Sequence, residues 1–386
     1  MTPETAQLLI ENLLERLDAD AASERPQFRG VVSDAERTAL RSLLKGWDTG
    51  TAASQPATDP IQKPFSSGAP GPRNSTVELN TDALGLDSSP APEWILGLDF
   101  GTAKSKAFAA TDEEDPTLLP LPIGKADEDI DNAVHEMNSS LWIDDNGLLF
   151  VGSEAVKRGM SYGESSRRRL DSLKQQISQV PPQEGQTQLS RKLPEDIDPT
   201  SKLTYSDAIV CYLSYLTDLA TTELERDQRV KTRYVRRRFT LPWWKKEQRQ
   251  WAAETLTKSL IRAQLVADTF HGKWREGIHV DQIKCALEAA AKYDERLAWM
   301  VLSEPADGVL EALAAASARV ITDRSARDLM LVVDVGAGTT DLSLFWVVQQ
   351  ADENGHSSQF ERAWPIVPCG TAIRQAGDTL DSLLVQ

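Results

Sequence analysis

Apolar side chains recur at helical spacing near the N-terminus. Leu8, Leu9, Leu13, Leu14 and Leu17 follow Thr2 and Pro3, a capping threonine and a first-turn proline, and predict a helix over 2–17. A shorter helix is expected from Ser33 to Leu44, with Leu40, Leu43 and Leu44 on one face. Two short helices within residues 1–47 bury little surface alone. They predict a docking or dimerising helical segment whose partner is unknown. From Asp48 to Pro92 the periodicity gives way to Pro, Ser, Gly, Ala and Thr, with prolines at 56, 60, 64, 70, 72, 90 and 92. Such a stretch cannot bury enough apolar surface to fold and reads as a disordered linker over 48–92.

After Glu93, short apolar runs alternate with amphipathic stretches, the pattern of an α/β domain. Trp94 to Leu98 reads as a buried strand, paired with Lys106 to Ala110 across a Gly-Thr turn. Leu329 to Val333 repeats the device, ends in Asp-x-Gly, and is followed by a strand-like stretch, Leu342 to Val348. The two hairpins, 235 residues apart from Asp99 to Asp334, form an internal pseudo-repeat. Between them, helices are predicted from Ser206 to Ala220, from Lys245 to Leu265 and from Ala306 to Val320, with an apolar strand end at Phe239 to Pro242.

Composition narrows the classes. The 386 residues allow more than one compact unit. A net charge of −16 repels phosphate backbones and acidic membrane surfaces at long range, so neither nucleic acid nor membrane is an expected partner. No apolar run approaches the ~18 residues of a spanning helix. Cys211, Cys285 and Cys369 lie 74 and 84 residues apart, too sparse for a disulfide framework or a metal-binding Cys pair. With an acidic N-terminus lacking an export signal, a cytoplasmic location is expected. The four histidines, His135, His271, His279 and His356, match no metal-ligand spacing.

The candidate chemistry lies at the two turns. In Leu98-Asp99-Phe100-Gly101-Thr102 a carboxylate at a strand end precedes a glycine whose missing Cβ lets backbone N–H groups approach a ligand, which suits a magnesium–phosphate group. Asp334-Val335-Gly336-Ala337-Gly338-Thr339-Thr340-Asp341 repeats this with more glycine and two hydroxyls. Either motif alone is also an ordinary hairpin turn; their pairing predicts two facing phosphate cradles. Two rival phosphate motifs fail. No G-x-x-x-x-G-K-[ST] string occurs, and Gly336-x-Gly338-x-x-Asp341 has Asp where a dinucleotide fingerprint needs Gly, with strand residues after it.

These residues resemble the nucleotide-binding domain of the seventy-kilodalton heat-shock chaperones of the DnaK type, within the actin and sugar-kinase superfamily. Gly97 to Ala103 resembles the family's first phosphate motif, and Asp334 to Asp341 its second. Phe239-Thr240-Leu241-Pro242-Trp243-Trp244 with Gln248-Arg249-Gln250, Ser303-Glu304-Pro305-Ala306, Asn138 to Gly159, and Ala376-Gly377-Asp378-Thr379 are similar to further family segments in the same order. The resemblance spans about Trp94 to Val385.

The resemblance implies duplicated ribonuclease-H-like, actin-like ATPase lobes, the first over 93–326 and an incomplete second over 327–386, behind an N-terminal helical extension. It implies ATP or ADP with Mg2+ as ligands. Asp99 and Asp334 match the magnesium-side carboxylates, Thr102 and Thr339 the phosphate-contacting hydroxyls, and Glu304 the glutamate near the metal shell. Lys174 is similar to the lysine that holds the attacking water, although with Arg167 to Arg169 it also reads as a solvated basic face. Gly101, Ala103, Gly336, Ala337, Gly338 and Asp341 complete the expected phosphate contacts. The catalytic set is then Lys174, Glu304, Asp334 and Thr339. Unfolded client polypeptides, a J-domain co-chaperone and a nucleotide exchange factor are the implied partners.

Three departures stand out: Ala103 where the family has Thr, Ala337 for the middle Gly, and Ser303 for Asn. Gln250 and Glu304 are 54 residues apart, about double the family separation, which implies an insertion holding Lys273, Trp274 and His279. Only 45 residues follow Asp341. The chain therefore reads as a fragment, with ATPase activity expected in a complete parent and weak or absent here. An actin-like assembly protein and a nucleotide-sensing scaffold without turnover are the alternative readings.

Overall fold

The protein is described from a computed structural model. It describes Leu17–Asp18, Gln27–Phe28 and residues 77–377, apart from 114–116, 127–134, 162–166, 179–181, 243–245, 303–308, 312–313, 315–326, 352–356 and 374–375. The chain divides into two units, Met1–Gly71 and Pro72–Gln386. In the first, β1 (Leu17–Asp18) pairs antiparallel with β2 (Gln27–Phe28), Leu17 opposite Phe28. Leu17, expected to end a helix, is in a strand; the remainder of both predicted N-terminal helices lies outside the described residues.

Both predicted hairpins lie in the second unit. In the first, β3 (Trp94–Asp99) runs antiparallel to β4 (Lys104–Thr111), with Asp99 opposite Lys106. Strand alternation sends Ser105, Ala107 and Ala109 inward and Lys104, Lys106 and Phe108 outward. These small inward side chains leave room for a helix to lie close. Strands β5 (Leu118–Pro120) and β6 (Glu136–Asn138), with the single-turn α1 (Ile123–Ala126) between them, both pair with β4. A separate small sheet follows: β7 (Ser140–Ile143) pairs with β8 (Leu148–Val151), which leads into α2 (Ser153–Ser161), and with β9 (Leu170–Asp171).

After α3 (Gln175–Ser178) and α4 (Pro182–Leu189) comes α5 (Tyr205–Glu225). Its start is set by a reciprocal cap, in which Thr204 accepts from the Asp207 N–H and Asp207 accepts from the Thr204 N–H. Its buried residues include Ile209, Leu213 and Leu216, as the periodicity predicts. It packs on β4 and along the later α6, and the Tyr212 ring lies 5.5 Å from that of Phe100. Strand β10 (Arg236–Leu241) takes the other edge of β3 in parallel, Phe239 opposite Leu98. Then come α6 (Lys246–Thr269), β11 (Ile278–His279), paired with β8, and α7 (Val280–Ala290), whose N-cap is His279. The region expected as an insertion is therefore built into the domain, with Trp274, Ile278, Val280 and Ile283 buried.

Two expectations are corrected here. The stretch 77–92, read as the end of a linker, is packed onto the domain. Ala83 and Leu84 are buried, the Asn80 N–H donates to Thr269 Oγ1 (3.0 Å), and Trp299 Nε1 donates to the Leu86 carbonyl (3.2 Å). Second, β12 (Val309–Leu310) lies inside the predicted helix 306–320 and pairs in parallel with Thr240–Leu241 of β10. The main sheet thus runs β12-β10-β3-β4-β5.

The second hairpin, β13 (Arg327–Val335) with β14 (Thr340–Ala351), is extended by β15 (Ser357–Ile373) in a three-stranded antiparallel sheet. When Asp99 is matched to Asp334, the two hairpins differ in a telling way. Leu96, Leu98 and Phe100 are at most 1% exposed under α5 and beside β10, whereas Leu331, Val333 and Val335 are 52–63% exposed. Among the described residues, no strand flanks β13 as β10 flanks β3. The architecture is a mixed α/β fold, and no described helix is long and apolar enough to cross a membrane.

Candidate functional site: two turns and a buried lysine

The first turn is fixed by geometry that demands glycine. A Cβ at Gly101 would lie 1.9 Å from the Lys104 carbonyl oxygen. A chain of buried hydroxyls then bolts the turn to the core. The Gly101 N–H donates to Ser105 Oγ (3.2 Å), and Ser139 Oγ donates to the Gly101 carbonyl (2.9 Å). Ser139 Oγ also stands 3.3 Å from Ser105 Oγ and 3.1 Å from the Tyr212 hydroxyl. The Ser139 N–H donates to the Ala103 carbonyl, so Ala103 serves the turn through its backbone. At the end of β3, Asp99 accepts from Thr240 Oγ1 on β10 (3.2 Å).

The second turn closes through the Gly336 N–H, which donates to the Thr339 carbonyl (2.9 Å). Thr339 Oγ1 donates to Asp341 Oδ2 (3.1 Å), and Asp341, buried, faces Asp334 across the hairpin. The Gly377 N–H donates to the Gly336 carbonyl (3.0 Å), which places the 376–377 segment on this turn next to Ala337.

The two turns meet. A Cβ built at Gly338 would lie 2.7 Å from Thr102 Oγ1 and 3.0 Å from its Cγ2, so the Thr102 side chain rests against the Gly338 backbone. Residues 236 positions apart in the chain are thereby in contact.

Lys174 enters from a third direction. Ser172, just after β9, has φ of 56°, a left-handed conformation uncommon for a residue with a side chain. The chain turns there, and Leu173 and Lys174 point inward. Arg167, Arg168 and Arg169 instead pair with Asp145, Asp196 and Asp171 nearer the surface, so Lys174 is separate from that basic face. It donates to Glu311, the residue after β12. Burial works against the ammonium, but Glu311, Asp99 and Asp341 together outweigh it and hold the lysine pKa above its ordinary value. Burial pushes the Glu311 carboxyl up to about 7; Lys174 opposes the rise, and Asp99 and Asp341 add to it.

The cluster therefore gathers Asp99, Thr102, Lys174, Glu311, Gly338, Thr339 and Asp341, with Asp334 opposite Asp341. Glu304 lies outside the described residues. Glu311, Ser105 and Tyr212 carry no motif and were not expected; Ser139 is in a family-like segment, but without a role. Three carboxylates face one ammonium, an excess of negative charge that suits a divalent cation. Among the described residues no three His, Cys, Asp or Glu side chains could together hold a metal. Asp99 and Asp341 offer oxygen donors of the kind magnesium takes, the rest of its shell being water and substrate phosphate.

No protein-family model matches the chain, and no curated protein does.

Proposed function

We propose that the second unit binds a magnesium nucleoside triphosphate, ATP by resemblance, between the two turns and hydrolyses it. The observation that carries this reading is the contact of Thr102 with the Gly338 backbone beside the Lys174 cluster. Two glycine-bearing turns, each with a carboxylate at or next to the end of its strand, come into contact near Lys174, Asp99 and Asp341. The finer fold reading, two ribonuclease-H-like lobes of the actin-like ATPase type, agrees with β3-β4-β5 and β13-β14-β15 sharing the same antiparallel order.

In this reading the backbones of Gly101, Thr102 and Ala103 and of Gly336, Ala337 and Gly338 hold the phosphates. The hydroxyls of Thr102 and Thr339 orient them. Asp99 and Asp334, directly or through water, would hold magnesium, which would supply charge neutralisation at the phosphate oxygens. Lys174 and the cluster carboxylates position the water that attacks the terminal phosphorus in line. Positioning and charge stabilisation supply most of the rate in such a transfer. The DnaK-type resemblance adds a chaperone role in the cytoplasm, with client polypeptides, a J-domain co-chaperone and an exchange factor.

A second reading, a nucleotide sensor without turnover, is favoured by one observation: Lys174 is engaged by Glu311 rather than directed at a substrate. Phosphate release and MgATP affinity, measured on Asp334→Asn and Thr339→Val in the complete parent, separate the two. Hydrolysis is expected to fall more than affinity in both variants. Binding without any phosphate release by the unmodified parent would select the sensor, and unchanged turnover in both variants would remove these positions from the mechanism.

A further inference from the structure

Residues 77–92 take no part in the proposed chemistry, yet the second unit holds them much as it would hold a bound peptide. Three of the bonds fall on backbone carbonyls: Arg296 donates to that of Leu84, Trp299 Nε1 to that of Leu86 (3.2 Å) and Arg236 to that of Pro92. The Asn80 N–H donates to Thr269 Oγ1 (3.0 Å), and Ser89 Oγ donates to the Tyr234 carbonyl (3.1 Å). Ala83, Leu84 and Ala91 are buried, and Val77 and Leu79 pack on the core. The only regular structure in this stretch is a four-residue turn of 3-10 helix, Asp82–Gly85. A segment held by so few apolar side chains opens locally at a free energy well below that of global unfolding.

The strap is fastened to both strands that hold Asp99. At its C-terminal end the chain runs directly into β3, which ends on that carboxylate. Arg296 and Trp299 belong to a segment that continues onto β10, where Val301 bridges Arg237 and the Leu302 N–H donates to the Arg237 carbonyl (2.9 Å). Farther along β10, Thr240 donates to Asp99 (3.2 Å). Pro92 is tied to Arg236 of the same strand, so loss of the strap removes support from β3 and β10 together.

We propose that residues 77–92 form a detachable strap whose docking holds β3 and β10 together at Asp99, so that its release loosens β10 and weakens binding of a magnesium triphosphate at the turns. The affinity change rests on the triphosphate reading of the site; the loosening of β10 does not. The strap is also the covalent path from the first unit, Met1–Gly71. A partner that engages residues 1–71 and draws on the strap thereby acts on the site. Coupling between sites is reciprocal, so bound nucleotide must hold the strap down by the same factor with which the strap strengthens binding.

The test uses the whole chain and alters the strap alone. Leu84→Asp puts a charge where a leucine is buried, and Asn80→Pro removes the N–H bonded to Thr269. Amide hydrogen exchange is followed in peptides covering 77–89 and 236–241 without nucleotide, and MgATP affinity by titration calorimetry. In the unmodified protein 77–89 should exchange far more slowly than an unstructured chain, and more slowly still with saturating MgATP. Leu84→Asp should bring 77–89 to the unstructured rate, speed exchange in 236–241 and weaken MgATP binding at least ~5-fold, the low end of ordinary coupling between sites. Asn80→Pro should act in the same direction by less. A released strap with unchanged exchange in 236–241, a released strap with unchanged MgATP affinity, or a strap already at the unstructured rate in the unmodified protein would overturn the proposal. If the unmodified protein does not bind MgATP, the triphosphate reading fails, and exchange in 236–241 alone decides whether the strap supports β10. If Leu84→Asp loses its fold by circular dichroism, Asn80→Pro is judged by the same outcomes.

Discussion

Replacing Lys174 by methionine should produce a stability defect that depends on pH in one direction only. In the intact pair, burial holds the Glu311 carboxyl at about 7, well above an ordinary carboxylate, even with the ammonium opposing the rise. Without that cation, the burial and the repulsion from Asp99 and Asp341 are unopposed, and the folded-state pKa must climb further. A carboxyl whose pKa is raised by folding contributes stability that is complete below the unfolded value and is lost as pH rises through the folded one. The unmodified protein completes this loss near pH 7. The variant continues to lose stability above it, by about 1.4 kcal/mol per pH unit. Relative to the unmodified protein it should lose more stability at pH 9 than at pH 6, by up to about 1.4 kcal/mol for each pH unit above 7, on top of a loss common to both pH values from the ammonium's attraction to Asp99 and Asp341. Urea unfolding followed by tryptophan fluorescence at the two pH values measures the difference. Adding Glu311→Gln should abolish the pH dependence. A penalty of equal size at both pH values would mean that the ionisation of Glu311 does not depend on Lys174, and the reasoning about the pair would be wrong.

Three further predictions follow from the turns and the two sheets. Gly101→Ala should destabilise the second unit by more than about 3 kcal/mol in chemical denaturation, because the added Cβ meets backbone at 1.9 Å; a change under 1 kcal/mol would contradict the turn geometry. Ser139→Ala, which removes a hydroxyl touching Gly101, Ser105 and Tyr212, should cost about 1–3 kcal/mol of stability, and near-neutrality would show that the hydroxyl chain does not hold the turn. Leu96→Ala should cost about 2–5 kcal/mol, but Leu331→Ala, at the matching position of the second hairpin, less than about 0.5 kcal/mol; comparable losses would mean that the exposed β13 face is covered in solution.

What the sequence allowed one to read was local. Both hairpins follow from short apolar runs that end in an acidic residue and glycine, and α5 follows from its apolar periodicity. The helix begins at Tyr205 behind a Thr204 cap, one residue before the expected start at Ser206, because the reciprocal bond of Thr204 with Asp207 fixes its first turn. What could not be read depends on contacts distant in the chain. Ser105, Ser139 and Tyr212 meet across separations of 34 and 73 residues and look like ordinary strand and helix positions in isolation. The stretch 77–92 reads as linker on its Pro and Ser content, yet Val77, Leu79, Ala83 and Leu84 anchor it, an apolar signal too sparse to show periodicity. Glu311 was hidden inside a predicted helix, because a parallel pair of only two residues, Val309–Leu310 against Thr240–Leu241, leaves no alternation to detect. Arg237 is a similar case. Within the run Arg236-Arg237-Arg238, Arg237 is fully buried and donates to Gln264 on α6, with its guanidinium pKa lowered to about 10 chiefly by burial.

The triphosphate reading stands or falls on whether one ligand engages both turns at once. Amide hydrogen exchange with and without MgATP measures this directly, since peptides covering 99–105 and 334–341 report the two turns separately. The account predicts slowed exchange in both segments over the same range of nucleotide concentration, and no such effect when ATP is replaced by adenosine. Protection of one segment alone, or of neither at saturating nucleotide, would contradict it.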